Sequence, residues 1–441
     1  MKQVASFLFV AILMVSCQQP PNQTATPGIQ QLAEKYVRLA LDISRYDESF
    51  VDAYYGPDSL KATTAKAAMF PKDSFLLQVQ QLQDAFSQLI KETKNDTLLL
   101  RVNWMKSQLT AFSRRIKIFS GEYASFDTES QELYGVVAPA YAEDHFQALI
   151  KQLDAVLPGK GNVPKRFQSL ANHFIIPKAK LDTVFRASIA ECRKRTLKHY
   201  TIPANEDFKL EFVTDKPWSG YNWYKGNYQS VIQINTDIQI FIDRAIDVGS
   251  HESYPGHHVY NMLLEKNLYH DKGWLEISLY PLYSPQSLIA EGSANYGIDV
   301  VFPGNDKVTF CKEVLLPLAG LDTTGITAYF QALAIRGQLN FAGNEAGRGI
   351  INKTMDTTAA LHWFKDYCLM NDETAKKRIR FVNVNRSYII NYNYGMQLIG
   401  DYISAKGGGA NDPGKTWDIF GELLSSPVLP ADLLTASAAK K

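Results

Sequence analysis

Apolar residues recur at helical spacing through most of the first two hundred positions. From Ile29 to Ser44 they fall at Leu32, Tyr36, Val37, Leu39, Ala40, Leu41 and Ile43, the rhythm of a helix that buries one face. The same habit runs from Phe75 to Thr93, Leu98 to Ile118, Ala142 to Leu157 and Val163 to Tyr200, punctuated by Pro57, Pro71, Pro139, Pro158-Gly159 and Pro177. Near residue 210 the period changes. Leu210-Glu211-Phe212-Val213 alternates, Asn227 to Asn235 alternates again, and Ser219-Gly220 reads as the turn between two strands. Helical spacing then returns at Ile238, Phe241, Ile242, Ala245 and Ile246. Val259 to Leu268, Leu288 to Ile298, Trp417 to Leu424 and Leu433-Leu434 read as further helical pieces. Gly343 to Gly349 is a loop or a close helix contact, and Gly407-Gly408-Gly409 a mobile connection. The pattern predicts a mainly α protein with a small β-sheet or hairpin just before a buried helix.

That helix runs into Val248-Gly249-Ser250-His251-Glu252-Ser253-Tyr254-Pro255-Gly256-His257-His258. His-Glu followed within two turns by another His is how helical zinc hydrolases present two ligands and a general base. The base here is Glu252. The spacing, however, is expanded. On a straight helix a residue at i+6 points about 120° away from the first, and one at i+7 lies roughly 10 Å along the axis. Pro255-Gly256 offers the remedy, since proline disrupts the turn before it and glycine accepts unusual torsions. A bulge or break there swings His257 back toward His251. His257 is the favoured second ligand and His258 its competitor.

His251-Glu252-Ser253-Tyr254-Pro255-Gly256-His257-His258 and the later Ala290-Glu291-Gly292-Ser293-Ala294-Asn295-Tyr296-Gly297 resemble the H-E-x-x-P-G-H-H and E-G-x-A-x-Y signatures of the bacterial family called domain of unknown function 885. Asp52-Ala53-Tyr54-Tyr55-Gly56-Pro57 is similar to the N-terminal part of its members, so the resemblance extends over most of the mature chain. It implies a zincin-like helical metalloprotease architecture and peptidase activity, and it supports Glu291 as third ligand to Zn2+. Two His and one Glu leave a coordination position open for water, as catalytic zinc requires. Asn295, one turn after Glu291, is placed to hydrogen-bond a ligand histidine. Family members often carry an arginine followed by a P-G-Q-like stretch near the C-terminus. This chain departs from that, with Arg386 and then Asn391-Tyr392-Asn393-Tyr394-Gly395. Arg386, Tyr388, Tyr392 and Tyr394 are the candidates for oxyanion stabilisation, and Arg386 alternatively binds a substrate carboxylate or pairs with an acidic core residue. The expected function is a zinc-dependent hydrolase cleaving peptide bonds, with Glu252 as general base. The alternatives are an inactive zincin-fold binding lipoprotein and a metal-dependent amidase or esterase on other acyl substrates.

Residues 1–17 read as a lipoprotein leader. Lys2 supplies the positive charge, Phe7 to Val15 a short apolar core, and Ser16-Cys17 resembles a lipobox. The run is too short to span a bilayer. The expectation is a lipid-modified Cys17, a flexible tether over 18–28 and one large catalytic domain over 29–441, with two helical lobes around a cleft as a variant. Gln18, not a retention aspartate, directs the expected anchor to the outer membrane of a Gram-negative envelope. The formal net charge of +1 leaves no basic surplus for nucleic acid. Cys192, Cys311 and Cys368 are too widely spaced for a metal site and read as buried free thiols. His145, His173, His199, His270 and His362 stand alone and read as ordinary surface or core residues.

Overall fold

The apolar stripes of the N-terminal half bury themselves against one another. In the computed structural model, which describes residues 28–216 and 218–438, helix Ile29–Ser44 hides Leu32, Tyr36, Val37 and Ile43, and Tyr36 stacks on Phe112 of helix Asp96–Phe119 with ring centroids 5.1 Å apart. Helix Lys72–Glu92 packs beside both. The Asn95 side chain starts the third helix by accepting from Leu98 N–H at 2.9 Å, the usual N-cap arrangement. The leader, residues 18–27 of the tether and Pro217 lie outside the described residues, and with them the reading of Cys17. Among the described residues no helix is long and apolar enough to cross a membrane.

The stretch from Val163 to Tyr200 is two helices, Val163–Asn172 and Leu181–Thr196, interrupted around Pro177. The interruption has a use. Ile176 N–H donates to Ile240 O at 2.9 Å, and Ile242 N–H to Phe174 O at 2.8 Å. This short antiparallel bridge pins the start of helix Ile242–Val248, the histidine helix.

The β region is the small sheet of the two predicted forms, with a strand order the alternation does not give. It holds β2 (Asp207–Val213), β3 (Gly220–Gly226) and β4 (Gln229–Asn235), while β1 (Val51–Tyr54) pairs antiparallel with β5 (Leu279–Pro281) far along the chain. β4 is central, parallel to β2 and antiparallel to β3. Ser219-Gly220 is therefore not a turn between two paired strands; Gly220 begins β3. The tight turn is Asn227-Tyr228, with φ of 51° and 62°, as two-residue hairpin connections require. Glu265 fastens it by accepting Asn227 N–H at 2.8 Å and Tyr228 N–H at 3.2 Å.

Helix Pro285–Val301, the glutamate helix, begins at the Ser284 cap and buries small residues over most of its length. It crosses helix Ile390–Ala405 at two glycines. A Cβ on Gly292 would come 2.5 Å from the backbone of Gly395, and one on Gly395 would come 2.9 Å from Leu288 O. Gly343 to Gly349 is the close helix contact, within helix Ala342–Ile351. One hydrophobic cluster runs from Leu32 to Leu433. Cys192, Cys311 and Cys368 are buried and unpaired.

Because the obstacle at Gly292 is backbone, Gly292→Ala is expected to cost about 2–3 kcal/mol or more. Gly337→Ala, a helical position with nothing within 4 Å of the added carbon, is expected to be neutral or to stabilise by roughly 0.5–1 kcal/mol. Denaturant midpoints of the two variants check the contrast; equal midpoints would contradict it.

Candidate metal centre

The histidine helix changes character as it reaches the motif. Ile242–Val248 is α-helical, Gly249–Ser253 forms one π-helical turn, and a new α-helix starts at His257. The break at Pro255-Gly256 is a close backbone approach: a Cβ on Gly256 would lie 2.0 Å from His251 O, and Gly256 N–H donates to Ser250 O at 3.1 Å. The chain thus doubles back across the turn that carries His251. Helix Leu181–Thr196 supports that turn from behind, with Ser188 Oγ 2.8 Å from where a Gly249 Cβ would stand.

The break brings His251 and His257 together, with ring centroids 4.7 Å apart. Glu291 faces both. Its Oε2 lies 3.5 Å from His251 Nε2, and its Oε1 lies 3.9 Å from His257 Nε2. One donor atom from each residue fits within 4.8 Å of the others, a set able to hold a metal ion. Glu291 Oε1 accepts the Tyr388 hydroxyl at 3.2 Å. Glu291 Oε2 is buried and has no hydrogen-bond partner. An acceptor left bare beside two imidazole nitrogens suits a shared cation, and two His with one carboxylate is a zinc donor set. The three side chains are 12–14% exposed, deep but open to solvent.

His258 is turned elsewhere. Its fully buried ring lies 2.8 Å from Ser230 Oγ on β4 through Nδ1 and 2.8 Å from Glu206 Oε1 through Nε2. Glu206 also accepts from the Tyr254 hydroxyl and from Arg193 Nη2 at 2.9 Å. Neighbouring residues on a helix point about 100° apart, so anchoring His258 here aims His257 at Glu291. Burial works to raise the Glu206 carboxyl, but the hydrogen bonds from His258, Tyr254 and Arg193 outweigh it and hold it at about 2.

Glu252 is 7% exposed, and its carboxylate has no hydrogen bond or ion pair among the described residues. Its backbone is fixed by Asn222 Nδ2, which donates to Glu252 O at 2.6 Å. Burial pushes its carboxyl up to about 7; His251 and Arg244 oppose that push, and Glu291 and Asp52 add to it. Burial, helped by His251, lowers His257 to about 4 and keeps that imidazole neutral.

Other expected site residues fall differently. Asn295 does not reach a histidine; its Nδ2 donates to Glu291 O at 2.9 Å and Tyr392 O at 3.2 Å, tying the two helices together. Arg386 pairs with buried Glu129, Nε to Oε2 2.5 Å, the acidic core partner that was one of its three expected roles. Tyr394 is buried, while Tyr392 is 36% exposed and has the Glu291 and Glu252 charges for neighbours. Among the remaining histidines, His199 stacks on Trp417, His145 on Tyr141, and His270 pairs with Glu265 at 3.2 Å. Sequence reasoning missed Asp52 and Tyr221 as site residues. The Tyr221 hydroxyl donates to Asp52; burial and the Glu291 charge raise the Asp52 carboxyl to about 6, against the lowering effect of that hydrogen bond. The Asp52 motif was visible, but only the fold brings β1 beside β3.

No protein-family model matches the chain, and no curated protein does. A protein from Colwellia psychrerythraea, provisionally named a lipoprotein, has a similar fold, with a TM-score of 0.51 and 15% identity over 83% of this chain and 69% of that one. Metallocarboxypeptidase 1 of Trypanosoma cruzi aligns at a TM-score of 0.49 and 10% identity over 93% of this chain and 95% of its own. An M32 carboxypeptidase of Deinococcus radiodurans R1 aligns at 0.42 and 12% identity over the same shares, 93% and 95%. At scores below 0.5 these two likenesses carry no argument about function. The mainly α architecture, with a small sheet ahead of the histidine helix, is the one the pattern predicts.

In a zinc titration followed by metal analysis, His251→Ala, His257→Ala and Glu291→Ala are each expected to lose tight binding. His258→Ala is expected to keep it with a lowered thermal midpoint. If His257→Ala retained the metal and a folded His258→Ala lost it, the assignment would be reversed.

The depressed Glu206 carboxyl contributes stability that is complete above its ordinary value of 4.5 and lost as pH falls toward about 2. The stability gap between the wild type and Glu206→Gln is therefore expected to be full at pH 6 and to narrow by pH 3 in denaturant titrations. A gap independent of pH would contradict this.

Proposed function

We propose that the chain is a zinc-dependent peptidase. The observation that carries this reading is the convergence of His251, His257 and Glu291 beside a buried, unpartnered Glu252. His251, His257 and Glu291 would hold the ion. Bound there, zinc supplies Lewis acidity, bringing the pKa of water to about 7 and polarising a carbonyl.

The chain's own groups complete the chemistry. Glu252 takes a proton from the attacking water and passes it to the departing amine; the water oxygen ends on the acyl carbon and the C–N bond breaks. A raised carboxyl pKa fits a group that must both accept and release that proton. Tyr392, partly exposed and within range of the Glu291 and Glu252 charges, is the best-placed of the four candidates to donate to the developing oxyanion. Arg386 is engaged by Glu129 and Tyr388 by Glu291. The leader and Cys17 add a lipid anchor in the cell envelope to the proposal.

Glu252→Gln is expected to lower the rate of peptide hydrolysis by 10²–10⁴-fold while leaving metal content unchanged. A peptide library assayed with and without chelator checks it. Metal-loaded wild type that cleaves no peptide but hydrolyses other acyl bonds would replace peptidase by amidase or esterase.

A further inference from the structure

Four buried carboxylates are answered by arginines, while buried Glu265 is held by the Tyr224 hydroxyl, two backbone N–H groups and His270. Glu276 receives Arg101 at 2.6 and 2.7 Å, Asp47 receives Arg115 at 2.5 and 2.9 Å, Glu129 receives Arg386, and Glu206 receives Arg193 and His258. Two carboxylates of the cleft break this habit. Among the described residues the Glu252 carboxylate has no partner, and that of Asp52 has only the neutral Tyr221 hydroxyl.

Asp52 stands close to the reaction centre. Gly220 on β3 faces Glu252, a Cβ there falling 3.4 Å from Glu252 Oε1. Tyr221, on the opposite face of β3, carries its hydroxyl to Asp52 Oδ1, and β1 lies beside β3. β1, which holds Asp52, pairs with β5, which leads within four residues into the glutamate helix. The Asp52 carboxyl accordingly responds to the charge on Glu291.

Of the three carboxylates, Glu291 would help hold the ion and Glu252 would handle the proton; among the described residues Asp52 has no partner beyond Tyr221. Tyr221 occupies one Asp52 oxygen and leaves the other for a second donor. A primary ammonium is the cation that a substrate of this class carries at its end, and its donors suit a carboxylate.

We propose that Asp52, positioned by Tyr221, receives the free α-ammonium of a peptide, so that the site acts on unblocked N-termini. This rests on the peptidase reading above, but recognition and cleavage are separable. The probes are trialanine, N-acetyl-trialanine and trialanine amide. Calorimetry uses the zinc-loaded full mature chain carrying Glu252→Gln, and hydrolysis rates use the wild type. Trialanine is expected to bind at least tenfold more tightly than its N-acetyl form. Adding Asp52→Asn should reduce that preference to under twofold. Tyr221→Phe should weaken it, and amidating the C-terminus should change little. Thermal midpoints verify that each variant folds.

Equal binding of free and acetylated peptide overturns the inference, as does no binding of either, or a tenfold preference that survives Asp52→Asn. A preference for the free carboxylate with indifference to acetylation also overturns it. That result would point to Arg378, which stacks on Phe381 beside Tyr392 and has no carboxylate partner among the described residues. Asp52-dependent binding without any hydrolysis by the wild type would uphold the recognition and remove the peptidase reading alone.

Discussion

The α-carbon of Gly256 rests against the carbonyl of His251 with no room for a side chain between them. A straight helix would hold His251 and His257 on different faces, so this contact decides whether the two imidazoles meet. The π-helical turn before it and the fresh helix after it are its two flanks. The new helix must also be rotated correctly, and a second constraint sets that rotation. The buried ring of His258, gripped by Ser230 and Glu206, fixes the helix about its axis and leaves His257 facing Glu291. The third donor arrives by a different route. Its helix is seated by the glycine-to-glycine crossing with Ile390–Ala405 and by Asn295, which reaches the Tyr392 carbonyl. Side chains that touch no substrate thus set most of the geometry at the centre.

Much of this was legible in the sequence. The helical stripes, the short sheet ahead of the motif and the break at Pro255-Gly256 all follow from spacing and residue type. β3 was not legible. Its inward face is Asn222 and Tyr224 and its outward face Tyr221 and Trp223, so no apolar alternation marks it. The choice between His257 and His258 had no local signal either, because it is made by Glu206, about fifty residues earlier. Arg386 and Asn295 carried the right chemistry for the site, but competing partners, Glu129 and two backbone carbonyls, claim them. Asp52 stood in a recognised motif, yet its place beside Tyr221 depends on a strand pairing across more than two hundred residues.

The electrostatics of the cleft differ from those of the core. Burying a carboxylate without a cation is costly, and at Asp47, Glu129, Glu206 and Glu276 this chain avoids it with arginines. In the cleft it does not, and the raised Glu252 and Asp52 carboxyls are the sign of that cost. Such local disfavour is common where groups exchange protons or meet charged ligands, and uncommon where they only support the fold.

The three thiols offer something of another kind. Cys192, Cys311 and Cys368 are unpaired and sealed, and burial pushes each thiol up to about 12. Thiolate is the reactive form, so alkylating reagents have almost nothing to attack while the chain stays closed. Labelling must then wait for local opening. Cys192 lies in the helix behind the π-helical turn, and Cys368 follows helix Thr357–Asp366. The native chain therefore carries built-in clocks of its own breathing, at positions set apart along the fold and readable one cysteine at a time by mass spectrometry.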